Sequence, residues 1–189
     1  MSQDVTEKDM REKDMIEKEL ASGRSFDEFV GTSEEGEFVR RRVGEIRFSP
    51  SFEKALGDFE KATLVVFADM GCPDCRAVLP FLGKIGEVNP GIRVVFGEWN
   101  AASEEFLQKR LGTGRVPTVL ALDASGKLTD GAFVERPLPV HRATAEAPSR
   151  KDAMLVIGKF RNGGNDDLIE KDLLKVLRGE KNDVLPYLK

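Results

Sequence analysis

The sequence contains no apolar run approaching the roughly 18 to 20 residues that a helix needs to cross a bilayer, so a membrane-spanning protein is not expected. It has no basic excess either. Lys plus Arg number 29 against 33 Asp plus Glu, a net charge of -4. Sequence-independent binding to phosphate backbones needs the opposite balance, so no nucleic-acid partner is expected. The first twenty residues, MSQDVTEKDMREKDMIEKEL, are dense in charge and lack the apolar stretch of a secretory signal, which makes the cytoplasm the expected location. Only two cysteines and one histidine are present. Two cysteines staple little, and structural disulfides are rare where thiols are held reduced. Zinc wants about four ligands, and beyond Cys72 and Cys75 the remaining soft ligand is His141, in a stretch that reads as a proline-rich loop; no metal within the chain is expected.

What the chain does have is a globular composition, 40% hydrophobic and 33% charged over 189 residues, the size of one domain with extensions. A five-residue repeat, EKDMR, EKDMI, EKEL, occupies residues 7–20. That period does not match the helical 3.6, so Met10, Met15 and Leu20 spiral around the axis, and a solvated or frayed helix is expected. Capping-box spacings at Ser25/Glu28 and Thr32/Glu35 predict two short helices, the first presenting Phe26, Phe29 and Val30 and the second Phe38, Val43 and Ile46. A third helix carries Phe52, Leu56 and Phe59. These five phenylalanines read as core, and Glu34, Glu35 and Glu37 as charges that complement a helix start.

From Ala62 the pattern switches. Thr63 to Ala68 is a continuous apolar run of the kind buried on both faces of a sheet. A helix over Pro73 to Glu87 follows, interrupted by Pro80. Next come a strand over Ile92 to Phe96, a helix capped by Ser103 and ended by Gly112 and Gly114, and two antiparallel edge strands over Thr118–Leu122 and Lys127–Glu135. Pro137, Pro139 and Pro148 mark a loop, and two more helices close the chain. The expected fold is α/β, a central mixed sheet flanked by helices. It divides into an N-terminal helical extension (1–60), a core (61–136), and a loop with C-terminal helices packing on that core (137–189).

Two cysteines fall three apart in roughly 1% of random placements, so Cys72-Pro73-Asp74-Cys75 reads as a redox motif. It sits where the buried strand turns into a helix. Cys72 falls at the N-cap, where unpaired amides and the helix dipole stabilise a thiolate, and comparable motifs have thiol pKa values of roughly 3.5 to 7.5. Cys72 is the expected nucleophile and Cys75, one turn inside, the resolving thiol. Pro73 suits the first helical turn. Asp74 places a like charge beside the nucleophile, opposes its ionisation and biases the pair toward the reducing end, with Arg76 able to offset it.

These residues resemble the thioredoxin superfamily over about two-fifths of the chain, and are similar to bacterial thioredoxin-like proteins that use Cys-Pro-Asp-Cys. The redox motif ends an apolar strand, Pro80 lies five residues after Cys75, and Val116-Pro117-Thr118 stands where the family has its cis-proline loop. The resemblance implies a thioredoxin-like fold and a cis Val116–Pro117 bond. It also implies catalytic Cys72 and Cys75, and a substrate contact surface formed by Val116, Pro117, Pro73 and Asp74. Two departures stand out. The position of the family's buried acid holds Val66, leaving Asp69, Asp74 and Glu98 as candidate proton acceptors. The aromatic residue before the first cysteine is replaced by Gly71, after Met70, while Trp99 reads as a packing residue.

The expected function is thiol–disulfide exchange that reduces a disulfide-containing protein or small molecule, without a bound cofactor, recharged by a separate reductase, in a monomer or homodimer. The alternative is an interaction module whose cysteines form a redox-sensitive latch or share a metal between copies.

Overall fold

The computed structural model describes residues 2–97, 99–181 and 183–188, with side chains from residue 12 onward. Four helices come first, α1 (Ser2–Ser22), α2 (Phe26–Val30), α3 (Glu34–Glu45) and α4 (Pro50–Gly57). The sheet is built from β1 (Ala62–Phe67), β2 (Ile92–Gly97), β3 (Thr118–Leu122) and β4 (Leu128–Val134), with α5 (Pro73–Val88) and α6 (Ala101–Leu111) between the first three strands. Helices α7 (Leu138–Ala145), α8 (Arg150–Arg161) and α9 (Asp166–Leu177) follow.

Strand order is β2-β1-β3-β4. The β1–β2 pair is parallel, joined by the α5 crossover, while β1–β3 and β3–β4 are antiparallel. Thus β3 lies inside the sheet rather than at an edge. The period-2 alternation of a strand explains the two cores. Leu64 and Val66 point to one face, packed with Val39, Phe52, Leu79 and Leu173 from the surrounding helices. Val65 and Phe67 point to the other, packed with Ile16, Phe106 and Leu107. A strand covered on both sides has no polar face, which is why its sequence is an unbroken apolar run.

The repeat segment is not a solvated helix. Ile16, 3% exposed, anchors α1 against the second core, and Met15 and Leu20 pack beside it. The side chain of Met10 lies outside the described residues. Gly23 lets the chain pass close to β2, since a Cβ there would stand 2.2 Å from Val95; Arg24 then bridges Phe96 through their backbones. Phe29 stacks on Phe96 at 4.7 Å.

Four other expectations change. Ser33, not Thr32, caps α3, its hydroxyl accepting from the Gly36 amide. On α3 Val43 is buried as expected, and so is Ile46 at its end, but the other buried apolar residue is Val39, and its neighbour Phe38 is exposed. Asn100 caps α6, with Ser103 as the reciprocal partner of a capping box. The proline-rich stretch is the helix α7, because Pro139 sits in its first turn, where a missing amide hydrogen costs nothing. Asp172 of α9 accepts the Leu138 amide at that helix start.

If α1 is part of the fold, Ile16→Ala lowers the unfolding free energy by about 2–5 kcal/mol, whereas Lys13→Ala, on the exposed face, changes it by less than about 0.5 kcal/mol. Urea unfolding of the two variants checks this; equal, small effects would mean that α1 is not docked.

Candidate functional site

The carboxyl end of β1 delivers the chain to Asp69-Met70-Gly71, a turn closed by two local bonds. The Asp69 carboxylate accepts from the Gly71 amide at 2.8 Å, and the Asp69 carbonyl from the Cys72 amide at 3.0 Å. Helix α5 then starts with Cys72 as N-cap and Pro73 in the first turn. Cys72 is half-buried and Cys75 fully buried, both as free thiols. The Asp69 amide donates to the Cys75 sulfur at 3.4 Å. On the far side of Cys72, the Val116 carbonyl lies 3.7 Å from its sulfur, and the Val116–Pro117 bond is cis. That loop is pinned by Thr118, whose hydroxyl donates to the Arg115 carbonyl at 2.6 Å, and by the Glu135 amide, which donates to the Pro117 carbonyl at 2.7 Å.

The pair is electrostatically asymmetric. A hydrogen bond from the Cys75 thiol, joined by the amides of Cys75 and Asp74 at the helix start, lowers the Cys72 pKa to about 6 against the opposing effects of burial and the Asp74 charge. The helix start therefore contributes, but the second sulfur contributes more. The same hydrogen bond, burial and the adjacent thiolate push Cys75 far up, so it holds its proton while Cys72 ionises.

Asp74 differs most from expectation. It does not face a substrate: it is 3% exposed, and both carboxylate oxygens are occupied. Arg161 Nε donates at 2.7 Å to Oδ1 and its terminal nitrogen at 3.1 Å to Oδ2; Arg136 adds two bonds to Oδ2 at 3.3 and 3.2 Å. Burial opposes its ionisation, but these two guanidiniums outweigh that and hold the carboxyl below its usual range. The reducing bias read from an uncompensated Asp74 is accordingly unsupported. Arg76 is not the compensating charge; it lines a separate cleft of about 370 Å³ with Glu34, Glu35 and Phe38.

The ion pairs continue outward. Arg136 also donates to Glu135 at 2.6 Å, and Arg115 donates to the other Glu135 oxygen at 2.9 Å. Among the described residues Glu135 is the one non-glycine with positive φ, 60°, a conformation costing roughly 1–2 kcal/mol that surrounding bonds must sustain. His141, on α7 rather than in a loop, is buried with Nε2 2.8 Å from the Val134 carbonyl; burial lowers its pKa.

Val66 is buried in the core, so no carboxylate stands behind Cys75 at that position. Asp69, six residues before Cys75, is exposed, and Asp74, next to Cys75, is committed to two arginines, while Glu98 lies outside the described residues. Trp99 does two things: it packs against the second core and lines a cleft of about 440 Å³ beside the motif, with Arg24, Phe29, Asp69 and Met70.

A mixed sheet covered by helices on both faces, with a Cys-X-X-Cys helix start facing a cis-proline loop, defines the thioredoxin-like class of α/β proteins. A family model described as Thioredoxin matches residues 23–148, and the chain belongs to that family. The match runs wider than the motif-bearing stretch, reaching back to α2 and forward through α7. Among solved structures, an HIV epitope-scaffold protein is similar at 26% identity and a TM-score of 0.69, over 86% of this chain and 96% of its own. A protein of unknown function from Pseudomonas aeruginosa shares the fold at 24% identity and a TM-score of 0.67, over 84% of this chain and 94% of its own. No curated protein sequence matches the chain significantly.

The asymmetry predicts a measurable titration. Iodoacetamide should label Cys72 of the reduced protein at a rate that rises through a midpoint near pH 6, because only the thiolate reacts. Cys75→Ala should move that midpoint upward by on the order of one pH unit, since it deletes the largest stabilising contact. An unmoved midpoint would mean that the helix start alone sets the pKa.

Proposed function

We propose that this protein is a cytoplasmic thiol–disulfide oxidoreductase that reduces disulfides through Cys72 and Cys75. The observation that carries the reading is the half-exposed, acidified Cys72 sulfur directly above a buried, protonated Cys75. The Cys72 thiolate attacks one sulfur of a substrate disulfide; the S–S bond breaks, and the other sulfur leaves as a thiolate that takes a proton from solvent. Cys75 then gives up its proton and attacks the Cys72 sulfur of the mixed disulfide. That expels the second substrate thiolate and leaves a Cys72–Cys75 disulfide. Two electrons have passed to the substrate, and a separate dithiol reductase returns the protein to its starting state. The scheme uses no bound cofactor.

Once Cys72 is bonded to substrate sulfur it no longer carries a negative charge, so the coulombic part of what holds the Cys75 proton disappears and the second step becomes accessible. Among the described residues the exposed carboxylate of Asp69, whose backbone amide donates to the Cys75 sulfur, is assigned the role of accepting that proton. The Val116 carbonyl, just before Pro117 and the start of β3, lies beside Cys72 and is the backbone group against which a substrate segment can pair, with Pro73 exposed at the rim. Asp74 is left out of substrate contact and given an electrostatic role.

The expected result is turnover of insulin or a model disulfide by the wild type, coupled to a thioredoxin reductase or to glutathione. In Cys72→Ser the activity falls at least 1,000-fold, roughly the fraction attributable to an intact nucleophile. Cys75→Ser accumulates a substrate adduct on Cys72, visible as added mass. Undiminished turnover in Cys72→Ser would overturn the assignment, and absence of turnover in the wild type would favour the interaction module.

A further inference from the structure

We propose that Arg161 of α8, acting with Arg136, is a positioning residue of the redox site: it clamps the Asp74 carboxylate and cancels its charge beside the Cys72 sulfur. The proposal deepens the oxidoreductase reading and rests on it for its catalytic consequence. Its geometry stands independently. Arg161 approaches Asp74 as a fork, one nitrogen on each oxygen at 2.7 and 3.1 Å, and Asp74 has 4% of its side chain exposed. Planar two-point binding of this kind fixes both position and rotamer, which a lysine cannot reproduce. Arg161 lies beyond residues 23–148, in a helix that the family match does not include. The clamp is therefore brought by the C-terminal addition to this chain.

The clamp is one end of an alternating row, Arg161–Asp74–Arg136–Glu135–Arg115, that joins α8, the start of α5, the end of β4 and the residue preceding Val116. Within it two guanidiniums, Arg161 and Arg136, meet the single Asp74 carboxylate two residues from the nucleophile. A bare Asp74, two residues from Cys72, would oppose its ionisation. Paired to two guanidiniums, its charge still opposes that ionisation, but it anchors there the two cations that offset it. Among the described residues, the charged and titratable groups around Cys72 include Cys75 and Asp74 on α5, Asp69 before it, Glu135 and Arg136 after β4, and Arg161 on α8. Arg115 stands beyond Glu135, and His141 of α7 lies behind Arg136, whose amide faces its ring at 3.3 Å. Of these, Arg161 couples to both Asp74 and Cys72. It is also about a third exposed, so truncating it leaves no enclosed cavity.

The test is the pH profile of iodoacetamide labelling at Cys72 in the full-length reduced protein, with the reduction potential measured in parallel. Arg161→Met should raise the labelling midpoint by on the order of one pH unit. At pH 8 that makes the reduced form about tenfold less stable, a potential more negative by about 30 mV. Arg161→Lys should recover most of the midpoint. Asp74→Asn should move it in the opposite direction, downward, because both guanidiniums then face an uncharged amide, and the double variant D74N/R161M should return close to the wild-type value. A folded Arg161→Met with an unchanged midpoint, or an Asp74→Asn whose midpoint rises, would overturn the clamp. The two readings fail separately: a wild-type midpoint above pH 8 sinks the oxidoreductase assignment, whereas a wild-type midpoint near 6 that Arg161→Met does not move sinks only this proposal.

Discussion

The electrostatic coupling between the two thiols is the interaction on which the chemistry of this chain depends. It is an interaction between unlike states, one sulfur donating and the other ionised, and it works only if one is held in reach of solvent and the other is not. The fold imposes that difference. β1 is buried on both faces, so the chain leaving it has a single direction in which to emerge, and α5 begins at the point of emergence. The N-cap residue is thereby half-exposed, while the residue one turn later is enclosed by the core. Each thiol then reinforces the state of the other. The lowered pKa of Cys72 and the raised pKa of Cys75 are one interaction seen from its two ends.

Asp74 illustrates why a charge cannot be read without its partners. Removing a carboxylate from water costs several kcal/mol unless charges and donors compensate it, and one partner taken from a buried pair typically costs about 3–5 kcal/mol. A residue in the middle of Cys-X-X-Cys that is buried in this way needs a cation close by. The chain supplies two, one from the end of β4 and one from α8. The positive φ of Glu135 fits the same demand, since it brings a second carboxylate between Arg136 and Arg115.

What the sequence makes legible is what depends on neighbours a few residues away. The redox motif, Pro80 within its helix and the strands β1, β2 and β3 follow from spacing and periodicity, and their bounds fall within a residue or two of expectation. The Ser25 capping box is likewise local. The failures are of two kinds. Caps at Ser33 and Asn100 were displaced because several residues in those turns carry suitable oxygens, and backbone geometry chooses among them. Ile16, Phe38 and the clamp on Asp74 depend instead on distant contacts. Asp74 and its arginine partners are separated by 62 and 87 residues. No local pattern distinguishes Arg136 or Arg161 from the other arginines of the sequence.

That separation has a consequence for how the redox centre is built. The sulfurs, the helix start and the proline loop all lie within the stretch matched by the family, yet the charge around them is completed from outside it, by α8. Helix α8 is held by its contacts with α7 and α5, and α7 is in turn tied to α9 through Leu138 and Asp172. The C-terminal helices therefore cannot be regarded as a cover laid over a finished site. Loosening α8 would leave Arg136 alone against a buried carboxylate two residues from the nucleophile, so the stability of the C-terminal layer and the acidity of Cys72 are linked through a single guanidinium.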